Sequence, residues 1–172
     1  MCAVPTYRKI PFNSATYEHR TRQAARHGSC FVCSIVAGDL NDHLVLARDD
    51  VCVSFLDKWP TLLGYALLAP LEHRTNVVGD FSEDEYADLQ RRVYRLGQAI
   101  ASVVPTERLY VVALGSAQGN SHVHWHIAPL PPGVPYAEQQ CSALSKKNGY
   151  LDIPDEAQAD LARSIQERLT KM

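Results

Sequence analysis

The stretch "GNSHVHWHIAPLPPG", residues 119–133, sets three imidazoles at alternate positions, His122, His124 and His126, with Val123, Trp125 and Ile127 between them. In an extended chain, residues i, i+2 and i+4 share one face, roughly 6.6 Å apart at each double step. The alternation therefore predicts a strand over 122–128 whose apolar side enters the core and whose other side carries the histidines. An isolated buried histidine is ordinarily satisfied by hydrogen bonds and does nothing more. With seven histidines in 172 residues, three in alternation arise by chance in roughly one chain in a hundred. A function is favoured. Two chemistries suit such a set: ligation of a catalytic zinc, or attack on an electrophile such as phosphorus by one ring while the others bind its charge. Neutral imidazole is a competent nucleophile near pH 7 because its ordinary pKa is about 6.5.

Outward from the triad, "RLYVVAL" (108–114) reads as a strand, "GSAQGNS" (115–121) as a tight polar loop, and "PLPPGVP" (129–135) as irregular chain. Upstream, Ser82 and Glu85 form a capping box, and Tyr86, Leu89, Val93, Leu96, Ile100 and Val103 recur at three- and four-residue steps before Pro105. That is one long amphipathic helix. "HLVLAR" (43–48), "VCVSFL" (51–56) and "YALLAP" (65–70) are short apolar or alternating runs separated by Asp49-Asp50 and "DKWPTLLG", as in a β-meander. A closing helix begins near Asp155, where Ala157, Leu161, Ile165 and Leu169 repeat every four residues. The order predicts one α+β domain over 29–172. Residues 1–28 are polar and Arg-rich and read as an N-terminal extension, in which "SATYEHRTRQAARHG" holds a short helix stopped by Gly28.

The chain is 46% hydrophobic with a formal net charge of −2, enough for one core and too little positive charge for broad attraction to nucleic acid or an anionic membrane. No apolar run reaches the eighteen or so residues of a membrane span, and no signal-like block opens the chain. The cytoplasm is expected. Of five cysteines, Cys30 and Cys33 alone are closely spaced. Their C-x-x-C spacing suits zinc or redox chemistry, and a position ahead of the meander, not between strand and helix, favours zinc. Cys52 alternates with apolar residues and reads as core. Cys2, Cys141, His19 and His27 carry no readable role, and His43 reads as a surface residue at the start of a strand.

"HVHWHIA" resembles the His-φ-His-φ-His-φ-φ signature of the histidine-triad superfamily of nucleotide hydrolases and transferases. The resemblance extends over roughly residues 29–130, in family order: "CFVCSIVAGD" (30–39), "VSFLDKWPTLLGYALLAPLEH" (53–73) and "FSEDEYADLQRRV" (81–93) look like the opening segment, the ribose-binding strand and turn, and the central helix. "PLPPGVPYAEQQ" (129–140) is similar to the corresponding part of a bacterial-type branch. The resemblance implies a HIT-like fold, an antiparallel meander sheet with a central and a C-terminal helix. It also implies an AMP- or GMP-like nucleotide as ligand, and a homodimer.

By the same resemblance His124 would attack the α-phosphorus to form a nucleotidyl-histidine, while His126 would bind phosphate oxygens and help the leaving group take a proton. Asp57 would accept from the ribose hydroxyls, Phe55 would lie near the base, and Gln118, Gly119 and Asn120 would line the phosphate. A structural zinc would be held by Cys30, Cys33, His73 and His122, two thiolates and two imidazoles with no open position. Blander readings stand beside these: Asp57 as a turn cap before "KWP", 118–120 as a hairpin turn, and the whole as a non-catalytic purine nucleotide-binding module. Three departures bear on chemistry. Tyr65 stands where many members have a histidine supporting the nucleophile, Lys58 replaces an apolar base contact, and the 115–121 loop is shorter than in dinucleoside hydrolases.

Overall fold

The computed structural model of the chain describes residues 6–13, 15–19, 28, 30–40, 42–117 and 120–172. Strand β1 (Lys9–Ile10) is followed by helix α1 (Phe31–Ala37), strands β2 (Val45–Arg48), β3 (Cys52–Leu56) and β4 (Ala66–Pro70), and helix α2 (Glu83–Val103). Then come β5 (Arg108–Ala113), β6 (Trp125–Leu130), the one-turn helix α3 (Cys141–Leu144), β7 (Tyr150–Leu151) and helix α4 (Asp155–Leu169). Five strands make an antiparallel sheet in the order β2-β3-β4-β6-β5, and β1 pairs with β7 in a small second sheet. Only β2-β3-β4 are a meander. The last two strands exchange places, so β6 lies inside the sheet and β5 at its edge.

Local chemistry sets these elements. Ser82 Oγ accepts from the Glu85 amide and Glu85 Oε2 accepts from the Ser82 amide, which satisfies two orphan donors at the start of α2. The stripe then buries Leu89, Val93, Leu96 and Ile100 against Leu68, Trp125 and Ile127 of the sheet and Ala162 and Ile165 of α4. Helix α1 ends where Gly38 takes φ +83° and its amide returns to the Ile35 and Ser34 carbonyls, a left-handed stop that suits glycine. β3 and β4 are buried along their whole length, Cys52 included, with helices on one face and the Phe55–Ile35–Leu67 cluster on the other.

Two details of the triad segment differ from expectation. The strand begins at Trp125, so His122 and His124 precede it. The Val123 amide leaves the sheet to donate to the Arg74 carbonyl at 2.7 Å. At the other end Pro129 and Leu130 belong to β6 rather than to an irregular tail. The register with β4 stops at Ala66–Ile127 while that with β5 runs on to Arg108–Leu130. Pro129 therefore stands where β6 has a neighbour on one side only, the edge situation in which proline is tolerated. Residues 15–19 are helical, and the rest of the N-terminal helix expected over 20–27 lies outside the described residues. Among the described residues no helix is long and apolar enough to cross a membrane.

Candidate active site and metal-ligand cluster

The irregular start of the triad splits the histidines between two places. His124 Nδ1 lies 2.7 Å from the His122 carbonyl oxygen. A carbonyl can only accept, so Nδ1 carries the proton, and in the neutral ring Nε2 is left with its lone pair. Both His124 and His122 are buried. The His124 and His126 rings are 4.8 Å apart, and Phe31 of α1 meets His124 edge-on at 6.2 Å. Burial holds all three imidazoles below their ordinary basicity, and His126 is brought down to about 4, first by burial and then by His124 beside it. The site thus offers one neutral ring with an oriented lone pair and a second neutral ring next to it.

Tyr65, the residue expected to support the nucleophile, reaches His126 instead: its hydroxyl and His126 Nδ1 share a hydrogen bond at 3.2 Å. Burial, then the nearby Asp57 carboxylate, keeps that phenol above its usual range, so it stays protonated and able to donate. Asp57 is only 6% exposed. Its Oδ1 accepts from the Trp59 amide at 2.8 Å and from Lys146 Nζ at 3.0 Å. The turn-cap role and an ion pair coexist on one oxygen. Phe55 is fully buried between Phe31 and His43, with ring centroids 6.4 and 5.6 Å away. Lys58 turns outward onto Asp42. Asn120 has φ +54° and its Nδ2 donates to the Tyr17 hydroxyl at 3.0 Å. Gln118 and Gly119 lie outside the described residues. Lys146 and the N-terminal aromatics Phe12 and Tyr17 carried no periodic or motif signal in the sequence, and proximity alone reveals them.

His122 belongs to the second place. Its Nε2 donates to the Pro70 carbonyl at 2.9 Å, which leaves the Nδ1 lone pair directed at Cys30 and Cys33 Sγ, each 3.5 Å away. His73 Nδ1 is 3.3 Å from Cys33 Sγ, and the ligand atoms of all four residues lie within 4.8 Å of one another. A tetrahedral ion with metal–sulfur bonds of about 2.3 Å and metal–nitrogen bonds of about 2.05 Å puts S and N about 3.6 Å apart. The donor set fits that spacing. Burial, followed by Cys30 at its side, pushes the Cys33 thiol up to about 11, which is the state a bound cation would reverse. Neither His124 nor His126 is among these grouped donors, so the arrangement does not gather the three histidines about one metal.

The family model of the HIT domain matches residues 39–132. The chain belongs to the HIT family. The HIT chain is 30% identical over 132 residues to adenosine 5'-monophosphoramidase hnt1 of Schizosaccharomyces pombe, covering 69% of this chain and 95% of that protein. It is 31% identical over 103 residues to an uncharacterized HIT-like protein of Saccharolobus solfataricus, covering 58% and 73%. Among solved structures, a hypothetical histidine triad nucleotide-binding protein from Sulfolobus tokodaii superimposes with a TM-score of 0.66 at 25% identity, covering 83% of this chain and 93% of that one. A zinc-bound histidine triad family protein from Mycobacterium smegmatis gives 0.64 at 21% identity, covering 83% and 94%. The fold is the HIT fold, α+β as expected, with the central and C-terminal helices on an antiparallel sheet.

Proposed function

We propose that the chain is a nucleotide hydrolase or nucleotidyltransferase that attacks the α-phosphate of a nucleoside phosphate derivative through a covalent nucleotidyl-histidine. The observation that carries this is the His124 tautomer: the bond from Nδ1 to the His122 carbonyl leaves Nε2 unprotonated, aimed and beside a second imidazole. Attack forms an Nε2–phosphorus bond as the bond to the leaving group breaks, and water or another acceptor then takes the nucleotide from nitrogen. His126 holds a phosphate oxygen and helps the leaving group take a proton, while the Tyr65 hydroxyl donates to its Nδ1 and fixes the ring. Asp57 binds the ribose, Phe55 backs the base, and the loop carrying Gln118, Gly119 and Asn120 surrounds the phosphate. The similarity to a protein named as an adenosine 5'-monophosphoramidase supports an adenine nucleotide with an amine leaving group as first substrate.

Cys30, Cys33, His73 and His122 would hold a structural zinc, whose chemistry is to cross-link α1 to the catalytic segment. Support comes from the donor spacing and from a zinc-bound structural neighbour. Val111 on edge strand β5 (42% exposed), Leu114 just after it (60%) and Tyr94 of α2 (65%) are exposed apolar side chains that a two-fold partner would cover, so a homodimer is part of the reading.

Mass spectrometry of enzyme quenched during turnover of adenosine 5'-phosphoramidate is expected to show a nucleoside monophosphate adduct on His124. Full turnover by His124→Ala would refute the mechanism. The specific observation favouring a non-catalytic binder is the low basicity of His126. That alternative expects AMP or GMP to bind while phosphoramidates and dinucleotides stay intact.

A further inference from the structure

Lys146 stands at the meeting point of two segments outside the matched family region. Its ammonium lies 5.4, 5.9 and 5.5 Å from the ring centres of Phe12, Tyr17 and Trp59. Those rings pack on one another at 5.4, 5.7 and 5.8 Å. Three aromatic faces around one cation are a cage of the kind that holds ammonium groups. Here the occupant is the chain's own lysine, held against Asp57 Oδ1 at 3.0 Å with its side chain 26% exposed. The cage is tied to the loop of Asn120 through the Tyr17 hydroxyl, so it borders the nucleotide site on two sides.

The hydrogen-bond inventory of this pair is incomplete in a specific way. Asp57 Oδ1 already takes the Trp59 amide and Lys146, whereas Oδ2 has no partner among the described residues. An ammonium carries three N–H donors; beside the aromatic faces, only the one to Asp57 is used in a hydrogen bond among the described residues, and the side chain is 26% exposed. One open acceptor thus sits beside open donors. A hydroxyl group, which donates and accepts at once, completes both. A phosphate, with acceptors only, would gain from the ammonium but meet the neighbouring carboxylate.

We propose that Lys146 and Asp57 read one ribose hydroxyl from both sides, the carboxylate taking its O–H and the ammonium donating to its oxygen, which makes Lys146 a specificity-determining residue for ribonucleotides. This rests on the placement of the ribose at Asp57 given above. A site built to hydrogen-bond a hydroxyl rejects the analogue lacking it, because both partners are then left unpaired.

The test is calorimetric titration of the full-length protein with AMP and GMP and with their 2'-deoxy and 3'-deoxy forms, comparing wild type, Lys146→Met and Lys146→Arg. Wild type is expected to prefer a ribonucleotide over one deoxy form by about tenfold to a hundredfold, and Lys146→Met to bring that ratio within about threefold while deoxynucleotide affinity stays unchanged. Lys146→Arg, which keeps charge and donors, retains the preference. Equal weakening of ribo and deoxy ligands in Lys146→Met would reveal mere packing and overturn the proposal. Tighter ribonucleotide binding in that variant, or a wild type without preference, would overturn it equally. None of these readouts requires turnover. A protein that discriminates ribose yet forms no adduct on His124 refutes the catalytic reading and not this one, and the converse result separates them the other way.

Discussion

At the scale of single residues, protonation decides what the site can do. His126 is held down to about 4, mainly by burial, against an ordinary 6.5. The unfolded chain therefore binds a proton between those values that the folded chain refuses. The contribution to stability is complete above about pH 6.5 and is lost as pH falls toward 4, on the order of 3 kcal/mol from this one ring. Urea unfolding at pH 7 and pH 4.5 should show a smaller loss for His126→Asn than for wild type. An identical loss in both would place the acid sensitivity elsewhere. Tyr65→Phe removes the partner of His126 Nδ1, and we expect turnover to fall about tenfold to a hundredfold with little change in KM, since the proton transfer assisted by the His126 ring belongs to the transition state. The residues of this site were partly legible. The triad announced itself by alternation and Asp57 by its family context, but Lys146 is distant in sequence and only folding brings it to Asp57.

Among the elements, the most informative is the small pair β1–β7. Gly149 precedes β7 with φ +83°, and a Cβ there would lie 2.6 Å from the Ile10 carbonyl oxygen, a backbone atom that cannot move aside cheaply. Gly149→Ala combines the strain of an extended, positive-φ backbone (φ +83°, ψ 177°), about 1–3 kcal/mol, with that clash. It should release the N-terminal strand, measured as faster cleavage near residue 10 in limited proteolysis, and widen the aromatic cage that begins at Phe12. Unchanged cleavage would show that β1 is held by other contacts. Ser82→Ala, by contrast, removes half of a capping box and should cost about 1 kcal/mol in thermal unfolding without touching nucleotide binding. The long helix could be read from periodicity because it buries a continuous stripe, and β3 and β4 could be read from short apolar runs because they are buried along their whole length. The triad strand was misplaced by three residues at its start because the sequence shows alternation but not the bond from the Val123 amide to Arg74. Proline at 129 concealed the strand's end, since which strand edge lacks a neighbour is a property of the sheet and not of the segment.

For the whole molecule, the two expectations concern what holds it together. Chelation, or Cys30→Ser with Cys33→Ser, should release about one zinc per chain and lower the melting temperature, with the metal measured by atomic emission. Retention of full metal by the double variant would show that other residues bind it. An exposed apolar edge strand is a liability unless covered. Light scattering is therefore expected to report a dimer for the wild type and a monomer once Val111 and Leu114 are both replaced by Lys. Sequence order gave the α+β class readily, yet the inward position of β6 was not legible. Short apolar runs do not say which neighbour they choose when two strands swap order.

His122 does two unrelated jobs with two ends of one residue. Its ring joins the sulfur donors, while its peptide oxygen fixes the tautomer of the ring two positions on. On the proposed reading, loss of an ion from this cluster would blur the aim of the His124 nitrogen before the fold gives way, so trace-metal supply would govern turnover at a threshold milder than the one that governs survival of the chain.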